Sequence, residues 1–234
     1  MNMRKKLDIS AYLVVGPENT LGRPVGDIIR AAVENGFTCL QIRSKTASAR
    51  ELIALCREAA DVLRELGKAE DVVLLVDDRL DVVLAAREAG IKVDGIHVGQ
   101  SDIPVAVCRK FLGPEAVIGL SARTQELLDY VRQADTRDID YFGAGPLHET
   151  ATKPDCGRDA AGHIITRSFE ELTELHAISP VPVVVGGGVK ARDLPALRKT
   201  GVDGFFVVSA VAGADDPAAA ARELVATWKA APRS

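Results

Sequence analysis

The stretch PVVVGGGVKARDLPALRKTGVDGFFVVSA, residues 182–210, contains two apolar runs with a helix-like segment between them. The runs at residues 182–185 and 204–208 are rich in Val and Phe, which is typical of buried β-strands. The order strand, helix, strand is typical of a parallel sheet whose helices cross from one strand to the next. This stretch therefore predicts an α/β fold.

The same alternation extends over the rest of the chain. Further strands are predicted at residues 11–15, 38–42, 72–76, 94–97, 116–119 and 139–142, and helices at residues 47–66, 80–88, 124–134 and 217–229. Thr124 and Asp216 are of residue types that favour helix N-caps. Eight strand–helix units of about 29 residues each fit a (β/α)8 TIM barrel. An open, doubly wound α/β sheet is the alternative.

A repeated sequence pattern supports the barrel. A helix end, a turn, a polar residue and a strand follow one another in ENGFTCLQIR, REAGIKVDGIHVG, ADTRDIDYFGAG and KTGVDGFFVVSA. These segments precede the second, fourth, sixth and eighth predicted strands, at intervals of roughly fifty residues. We therefore expect a single TIM-barrel domain over residues 1–234.

Composition and charge exclude several classes of partner. The chain has 29 Lys and Arg against 33 Asp and Glu, a net charge of −4, and so lacks the basic excess of proteins that bind nucleic acid. Neither a membrane span nor the apolar run of a signal peptide is visible. The cysteines have no metal-ligand spacing: Cys39, Cys56, Cys108 and Cys156. We expect a cytoplasmic protein that binds small molecules, and a homo-oligomer is compatible with the sequence.

Polar and charged side chains follow the predicted strands, at the carboxyl ends where TIM barrels have their active sites. They are Gln41, Arg43 and Lys45 after the second strand, Asp77 and Asp78 after the third, Asp102 after the fourth and Ser121 after the fifth. Arg43 and Lys45 lie two residues apart, so both can face one ligand. Together with Lys153 they suit a diphosphate. A solvated, salt-bridged rim is the alternative for any one of them.

Two neighbouring loops have the character of a phosphate site. Gly187 and Gly188 follow the seventh strand, and Val208 and Ser209 follow the eighth. Glycines let backbone N–H groups approach an anion, and a short helix beginning after the eighth strand adds its dipole. Glycines that only make a tight turn are the alternative.

Asp78 and Asp102 are candidates for metal binding. Two carboxylates, with phosphate oxygens and water, are the usual ligands of Mg²⁺. The alternative is that each aspartate caps the helix that follows it.

Residues 143–167, which include Lys153, form a segment long enough to be a functional lid. His97 is expected to be a structural, hydrogen-bonded histidine.

Taken together, the motifs resemble those of the thiamine-phosphate synthase family, also called thiamine-phosphate pyrophosphorylase. The resemblance runs from Tyr12 to Ala210 through YLVVGP, LQIRSK, VDDRLDVVLA, DGIHVGQSD, IGLSAR, DYFGAGPLHETATK, PVVVGGGV and GVDGFFVVSA. It implies a (β/α)8 transferase of thiamine biosynthesis that requires Mg²⁺. Its implied substrates are hydroxymethylpyrimidine diphosphate and methyl-hydroxyethylthiazole phosphate, and its implied products are thiamine phosphate and pyrophosphate.

The resemblance also implies roles for individual residues. Gln41, Arg43, Lys45 and Lys153 would hold the pyrimidine diphosphate, and Ser121 would contact the pyrimidine. Asp78 and Asp102 would bind Mg²⁺. The thiazole phosphate would be bound by Thr150, Thr152, Gly188, Val208 and Ser209. The residues expected to act in catalysis are Lys153, Arg43 and Ser121.

Two positions depart from the family pattern. Asp77 stands where the family usually has an Asn that contacts the pyrimidine diphosphate, and a carboxylate there repels phosphate unless it binds metal or holds a proton. Gly186 stands where the family usually has Ile.

Two other functions are alternatives to the synthase activity that the resemblance implies. A thiazole tautomerase would lack the diphosphate-binding residues and would use a histidine shortly after position 121, where this chain has Ala122 and Arg123. A catalytically silent barrel that binds thiamine precursors is favoured only by Asp77.

Overall fold

A computed structural model of the chain describes residues 3–122, 125–149, 157 and 162–233. Its strands form a closed barrel in which each strand pairs in parallel with the next and β1 pairs with β8. They are β1 (Ala11–Val15), β2 (Cys39–Ile42), β3 (Val73–Asp77), β4 (Gly95–Val98), β5 (Val117–Ser121), β6 (Tyr141–Ala144), β7 (Val183–Val185) and β8 (Gly204–Val207). The predicted TIM barrel is confirmed, and the open sheet is wrong.

Helices follow the strands along the chain. They are α1 (Val25–Glu34), α2 (Ala49–Glu65), α3 (Leu80–Glu88), α4 (Val105–Leu112), α5 (Leu127–Gln133), α6 (Phe169–Ile178), α7 (Leu194–Lys199), α8 (Ser209–Ala212) and α9 (Pro217–Ala230). Asp216 caps α9 as predicted, since its Oδ1 accepts from Ala219 N at 2.9 Å. The predicted cap Thr124 lies outside the described residues, and α5 begins three residues after it. No helix among the described residues is long and apolar enough to cross a membrane.

The strands are buried on both faces, which explains why they appear in the sequence as continuous apolar runs. On β1, Leu13 and Val15 pack in the large cluster between barrel and helices, whereas Tyr12 and Val14 pack in a second, smaller cluster. Tyr141 of β6 belongs to this smaller cluster as well. Because β1 and β6 are not neighbouring strands, their contact crosses the interior of the barrel.

The repeated sequence pattern corresponds to a repeated contact at the amino ends of the strands. In each repeat, the polar residue before an even-numbered strand accepts a hydrogen bond from a backbone N–H at or near the start of the preceding odd-numbered strand. The bonds join Ala11 N to Thr38 Oγ1 at 3.4 Å, Leu74 N to Asp94 Oδ2 at 2.8 Å, Ile118 N to Asp140 Oδ2 at 2.7 Å and Val183 N to Asp203 Oδ2 at 2.9 Å. We call these contacts the strand clamps. They fix adjacent strands at the end of the barrel opposite the predicted site.

Candidate active site

A cavity of about 1040 Å³ opens at the carboxyl ends of the strands. The structure brings into its lining the predicted residues Gln41, Arg43, Lys45, Asp77, Asp78, Asp102, Ser121, Gly188, Val208 and Ser209. The other predicted site residues, Thr150, Thr152 and Lys153, lie outside the described residues, as does most of the predicted lid. Residues predicted from six separate segments thus share one cavity because the barrel gathers all the strand ends on one face.

Two basic side chains and two carboxyl groups form a compact cluster on one side of this cavity. Arg43 Nε lies 3.0 Å from Asp77 Oδ2. Lys45 Nζ lies 2.6 Å from Asp78 Oδ2 and 3.7 Å from Asp77 Oδ2. The side chains of Arg43 and Asp77 are only 16% and 11% exposed, so this ion pair is shielded from solvent. A diphosphate entering the cavity would compete with the carboxylates for both cations.

The carboxyl groups of the cluster differ in their affinity for protons. Burial, together with the neighbouring charge of Asp78, raises the pKa of Asp77 to about 7 despite Arg43 and Lys45. Burial also acts to raise the pKa of Asp78, but the hydrogen bond and charge of Lys45 outweigh it, so that pKa is lowered. The pKa of Asp102 is raised, first by burial and then by the charge of Asp78. Asp78 is thus the carboxylate of the cluster that stays ionised most readily.

Asp78 lies in a tight turn at the end of β3 and does not cap a helix. Its φ is 60°, a left-handed conformation that Asp and Asn tolerate better than most residues. The N-cap of α3 is Arg79 and that of α4 is Pro104, and neither helix has a side-chain cap. Asp102 Oδ2 instead accepts from Gly99 N at 2.8 Å. The alternative that both aspartates serve as helix caps is therefore wrong.

The glycines after β7 form a turn that packs against the loop after β6. Gly187 and Gly188 have φ values of 83° and 74°, which side chains rarely adopt. A Cβ on Gly188 would lie 2.9 Å from His148 Cβ, and a Cβ on Gly187 would lie 2.5 Å from Pro146 Cβ. Helix α8 begins at Ser209 beside them, so the short helix expected after the eighth strand is present. The glycines thus make the tight turn that was the alternative, and they also line the cavity, so their binding of a phosphate stays a prediction.

Comparison with known proteins gives the family. The family model described as "Thiamine monophosphate synthase" matches residues 11–211. The chain belongs to the thiamine monophosphate synthase family. It is 41% identical to a thiamine-phosphate synthase of Corynebacterium efficiens, over 95% of this chain and 96% of the relative. A relative of the same name in Moorella thermoacetica is 38% identical over 91% of this chain and 92% of its own length.

A solved structure agrees with this assignment. The thiamine phosphate pyrophosphorylase of Pyrococcus furiosus superposes with a TM-score of 0.78 at 30% identity, covering 97% of this chain and 98% of that one. The resemblance drawn from the motifs is confirmed over its whole range, since the family model includes Tyr12 to Ala210. Membership of a family of synthases also agrees with the predicted transferase class.

The cluster suits the Mg²⁺ that the family resemblance implies. The carboxyl groups of Asp78 and Asp102 act on one another, since the charge of Asp78 contributes to raising the pKa of Asp102. A divalent cation bound by both would offset this repulsion, because ligand carboxylates bind metal in the deprotonated form. Among the residues that the structure describes, no group of three or more His, Cys, Asp or Glu side chains is arranged to hold a metal ion. The pair therefore fits Mg²⁺ only if phosphate and water supply the remaining ligands.

The glycine at position 186, where the family resemblance implies Ile, has a structural explanation. A Cβ on Gly186 would lie 2.3 Å from the ring of Phe206 on β8. That ring lines the cavity and lies 6.3 Å from the ring of Tyr12. Phe206 thus occupies the space that a side chain at position 186 would need.

Sequence reasoning missed several residues that line or support this synthase-family cavity. Phe206, Tyr12 and Tyr141 were not among the candidates. The available signal was a pair of tyrosines inside buried strands, where each hydroxyl needs a hydrogen-bond partner. His97 is hydrogen-bonded, as predicted: Nδ1 lies 2.9 Å from Tyr141 Oη and Nε2 lies 2.9 Å from Ser121 Oγ.

Proposed function

We propose that this chain is a thiamine-phosphate synthase. It condenses hydroxymethylpyrimidine diphosphate with methyl-hydroxyethylthiazole phosphate and releases pyrophosphate. The observation that carries the proposal is the shared cavity, in which a cation cluster for a diphosphate lies across from a glycine turn suited to a phosphate. The names of the relatives support the same reaction.

The reaction breaks the C–O bond between the pyrimidine methylene and the diphosphate, and the bonding electrons leave with the diphosphate. The resulting pyrimidine cation is attacked by the lone pair of the thiazole nitrogen, which forms the new C–N bond. Arg43 and Lys45 hold the diphosphate and stabilise its growing negative charge, joined by Lys153. Gln41 and Ser121 orient the pyrimidine.

Asp78 and Asp102 would hold Mg²⁺, which when bound neutralises charge on the departing diphosphate. The thiazole phosphate lies against Gly188, Val208 and Ser209, with Thr150 and Thr152 completing its site. Asp77, deprived of Arg43 and Lys45 by the diphosphate, keeps a proton and so avoids repelling the substrate. The cytoplasmic location and the oligomeric state stay predictions.

Pyrophosphate release tests the reaction. With both substrates and Mg²⁺, we expect pyrophosphate and thiamine phosphate in equal amounts, and neither product when one substrate is omitted. Release from the pyrimidine diphosphate alone would indicate a hydrolase. No release at all would indicate a binding protein, and conversion of the thiazole alone a tautomerase.

The role of Arg43 can be tested with a matched pair of variants. Arg43→Gln should lower kcat/KM for the pyrimidine diphosphate by about tenfold to a hundredfold, the usual value of a charge-assisted hydrogen bond. Arg64→Gln removes an equal charge from the exposed Arg64–Asp61 pair and should leave the kinetics unchanged. Equal kinetics for both variants would contradict the assignment.

A further inference from the structure

A chain of hydrogen bonds crosses the interior of the barrel beneath the cavity. It runs from Gln41 through Tyr12, Tyr141 and His97 to Ser121. The distances are 2.7 Å from Gln41 Nε2 to Tyr12 Oη, 2.9 Å from Tyr12 Oη to Tyr141 Oη, 2.9 Å from Tyr141 Oη to His97 Nδ1 and 2.9 Å from His97 Nε2 to Ser121 Oγ. Both of its ends line the cavity, and Tyr12 and Tyr141 are at most 1% exposed.

The donor at the Gln41 end of this chain is fixed, and it is compatible with donation in one direction along the whole chain. Gln41 donates its amide N–H to the Tyr12 oxygen. Each phenol has a single hydrogen to donate, and one arrangement that uses every hydrogen within the chain has Tyr12 donate to Tyr141 and Tyr141 donate to His97 Nδ1. A neutral imidazole that accepts at Nδ1 carries its hydrogen on Nε2. In this arrangement His97 donates to Ser121 Oγ, and the Ser121 hydrogen is left to point elsewhere.

A glycine makes room for the chain. Gly119 lies on β5, and a Cβ built there would lie 2.3 Å from Tyr141 Oη and 2.5 Å from His97 Nδ1. Its φ is not in the left-handed region, so the backbone itself does not require glycine. The missing side chain at position 119 is what allows the tyrosine and the histidine to meet.

We propose that His97 is a positioning residue whose Nε2–H tautomer, set by Tyr12 and Tyr141, fixes Ser121 as a hydrogen-bond donor into the cavity. At the other end of the chain, the amide nitrogen of Gln41 is engaged by Tyr12, which leaves its amide oxygen as an acceptor. A ligand held between the two ends must offer an acceptor to Ser121 and a donor to Gln41. An amino-substituted nitrogen heteroaromatic ring offers both, and this last step rests on the proposed function.

The tautomer can be measured without substrate. In protein labelled with ¹⁵N-histidine, two-bond couplings distinguish Nε2, which couples to both ring protons, from Nδ1, which couples strongly to Hε1 alone. We expect the resonance that disappears in His97→Gln to show a hydrogen on Nε2. A hydrogen on Nδ1 would overturn the proposal whether or not the protein is a synthase.

Tyrosine variants test what sets the tautomer. Tyr141→Phe removes the donor to Nδ1, so the Nδ1 resonance should move downfield. Tyr130→Phe is the matched control, because Tyr130 Oη is hydrogen-bonded to Gln100 Nε2 at 2.9 Å and is not part of the chain. The same shift in both variants, or in neither, would contradict the role of Tyr141.

Two histidine replacements of different reach test the effect on Ser121. A Gln amide nitrogen reaches the position of Nε2 and can donate to Ser121, whereas an Asn amide nitrogen reaches only that of Nδ1. We expect His97→Asn to raise KM for the pyrimidine diphosphate by about twofold to tenfold, the value of one hydrogen bond, and His97→Gln to raise it less. The KM for the thiazole phosphate should stay the same in both. If Asn serves as well as Gln, the hydrogen bond to Ser121 has no positioning role.

Discussion

Asp77 stands where the family resemblance implies an Asn, and its surroundings explain how an Asp is tolerated there. The carboxyl group is 11% exposed, lies next to Asp78 and touches the cation Arg43 at 3.0 Å. Burial and the Asp78 charge raise its pKa to about 7. A protonated Asp can donate a hydrogen bond as an Asn does, whereas an ionised Asp only accepts.

The pH dependence of the Asp77→Asn variant tests whether a protonated Asp77 takes the place of an Asn. Wild-type activity should fall as pH rises through about 7, because ionised Asp77 then repels the diphosphate. Asp77→Asn should keep its Mg²⁺ affinity and extend activity to higher pH. Superimposable alkaline limbs in the two pH–rate profiles, measured at saturating Mg²⁺, would show that Asp77 holds no such proton.

The same shift predicts a change in stability. Between the ordinary pKa of an Asp, 3.8, and the raised one of about 7, the folded chain holds a proton that the unfolded chain has lost. Stability contributed by Asp77 therefore falls as pH rises through this window. Asp77→Asn should melt at a higher temperature than wild type at pH 8, with a difference that shrinks towards pH 4. A difference independent of pH would contradict the raised pKa.

A variant of Asp102 tests the proposed Mg²⁺ site. Asp102→Ala removes one of two proposed oxygen ligands and should lower the apparent affinity for Mg²⁺ by at least about tenfold, with little change in the KM for the thiazole phosphate. Initial rates measured against Mg²⁺ concentration give this affinity. Asp81→Ala removes an exposed carboxylate paired with Arg79 and serves as the control. Full activity of Asp102→Ala in excess chelator would exclude the assignment.

At the scale of elements, a side chain in the turn after β7 and a side chain on β8 would compete for the same space. The ring of Phe206 fills the space beside Gly186, where a Cβ would approach it to 2.3 Å. An aromatic ring on β8 and a side chain after β7 cannot both be present without movement. The wall of the cavity is thus set by a pair of positions on different elements.

A paired exchange tests this interpretation. Gly186→Ile alone should push Phe206 into the cavity and raise the KM for substrate. Phe206→Ala alone should enlarge the cavity and lower stability by less than the ~3–5 kcal/mol that a fully buried Phe costs, because the ring is only partly buried. The double variant should recover most of the loss, because each change makes room for the other. Strictly additive effects of the two changes, in kinetics and in urea unfolding, would show that they do not share the space.

At the scale of the whole molecule, the strand clamps hold the barrel together at the end opposite the cavity. The Asp140 side chain is 6% exposed, accepts from Ile118 N at 2.7 Å and pairs with Arg109 at 2.8 Å and with Arg4. Removing this carboxylate would leave Arg109 and Arg4 without this counter-charge, although backbone carbonyls still accept from both, and would leave Ile118 N without its carboxylate acceptor. Separation of the clamps from the site means that stability and catalysis can be changed independently.

Asp140→Ala should therefore lower the free energy of unfolding by about 3–5 kcal/mol, the usual cost of breaking a buried ion pair, with both KM values unchanged. Urea unfolding and steady-state kinetics measure the two effects. Asp71→Ala breaks the exposed Lys68–Asp71 pair and should cost no more than about 1 kcal/mol. Equal losses in the two variants would contradict the role of the clamp.

Much of this architecture is predictable from the sequence, because its causes are local. Apolar runs at regular spacing gave the eight strands, with bounds that differ from the structure by at most a few residues. The repeated polar residue before each even strand marked the clamps, although their hydrogen bonds were not foreseen. Helix α5 was predicted to begin at residue 124 and begins at Leu127, since apolar periodicity marks the body of a helix and not its first turn.

The sequence by itself determined the barrel, the family and the residues that follow each strand, because strand periodicity and motif order are properties of the chain. Only the tertiary structure decided that Asp77 is buried beside Asp78, that Phe206 fills the space at Gly186, and that Tyr12 and Tyr141 connect Gln41 to Ser121 through His97. Each of these depends on side chains from strands that are distant in sequence. Closure of the barrel brings them within a few ångströms of one another, and no local pattern records that distance.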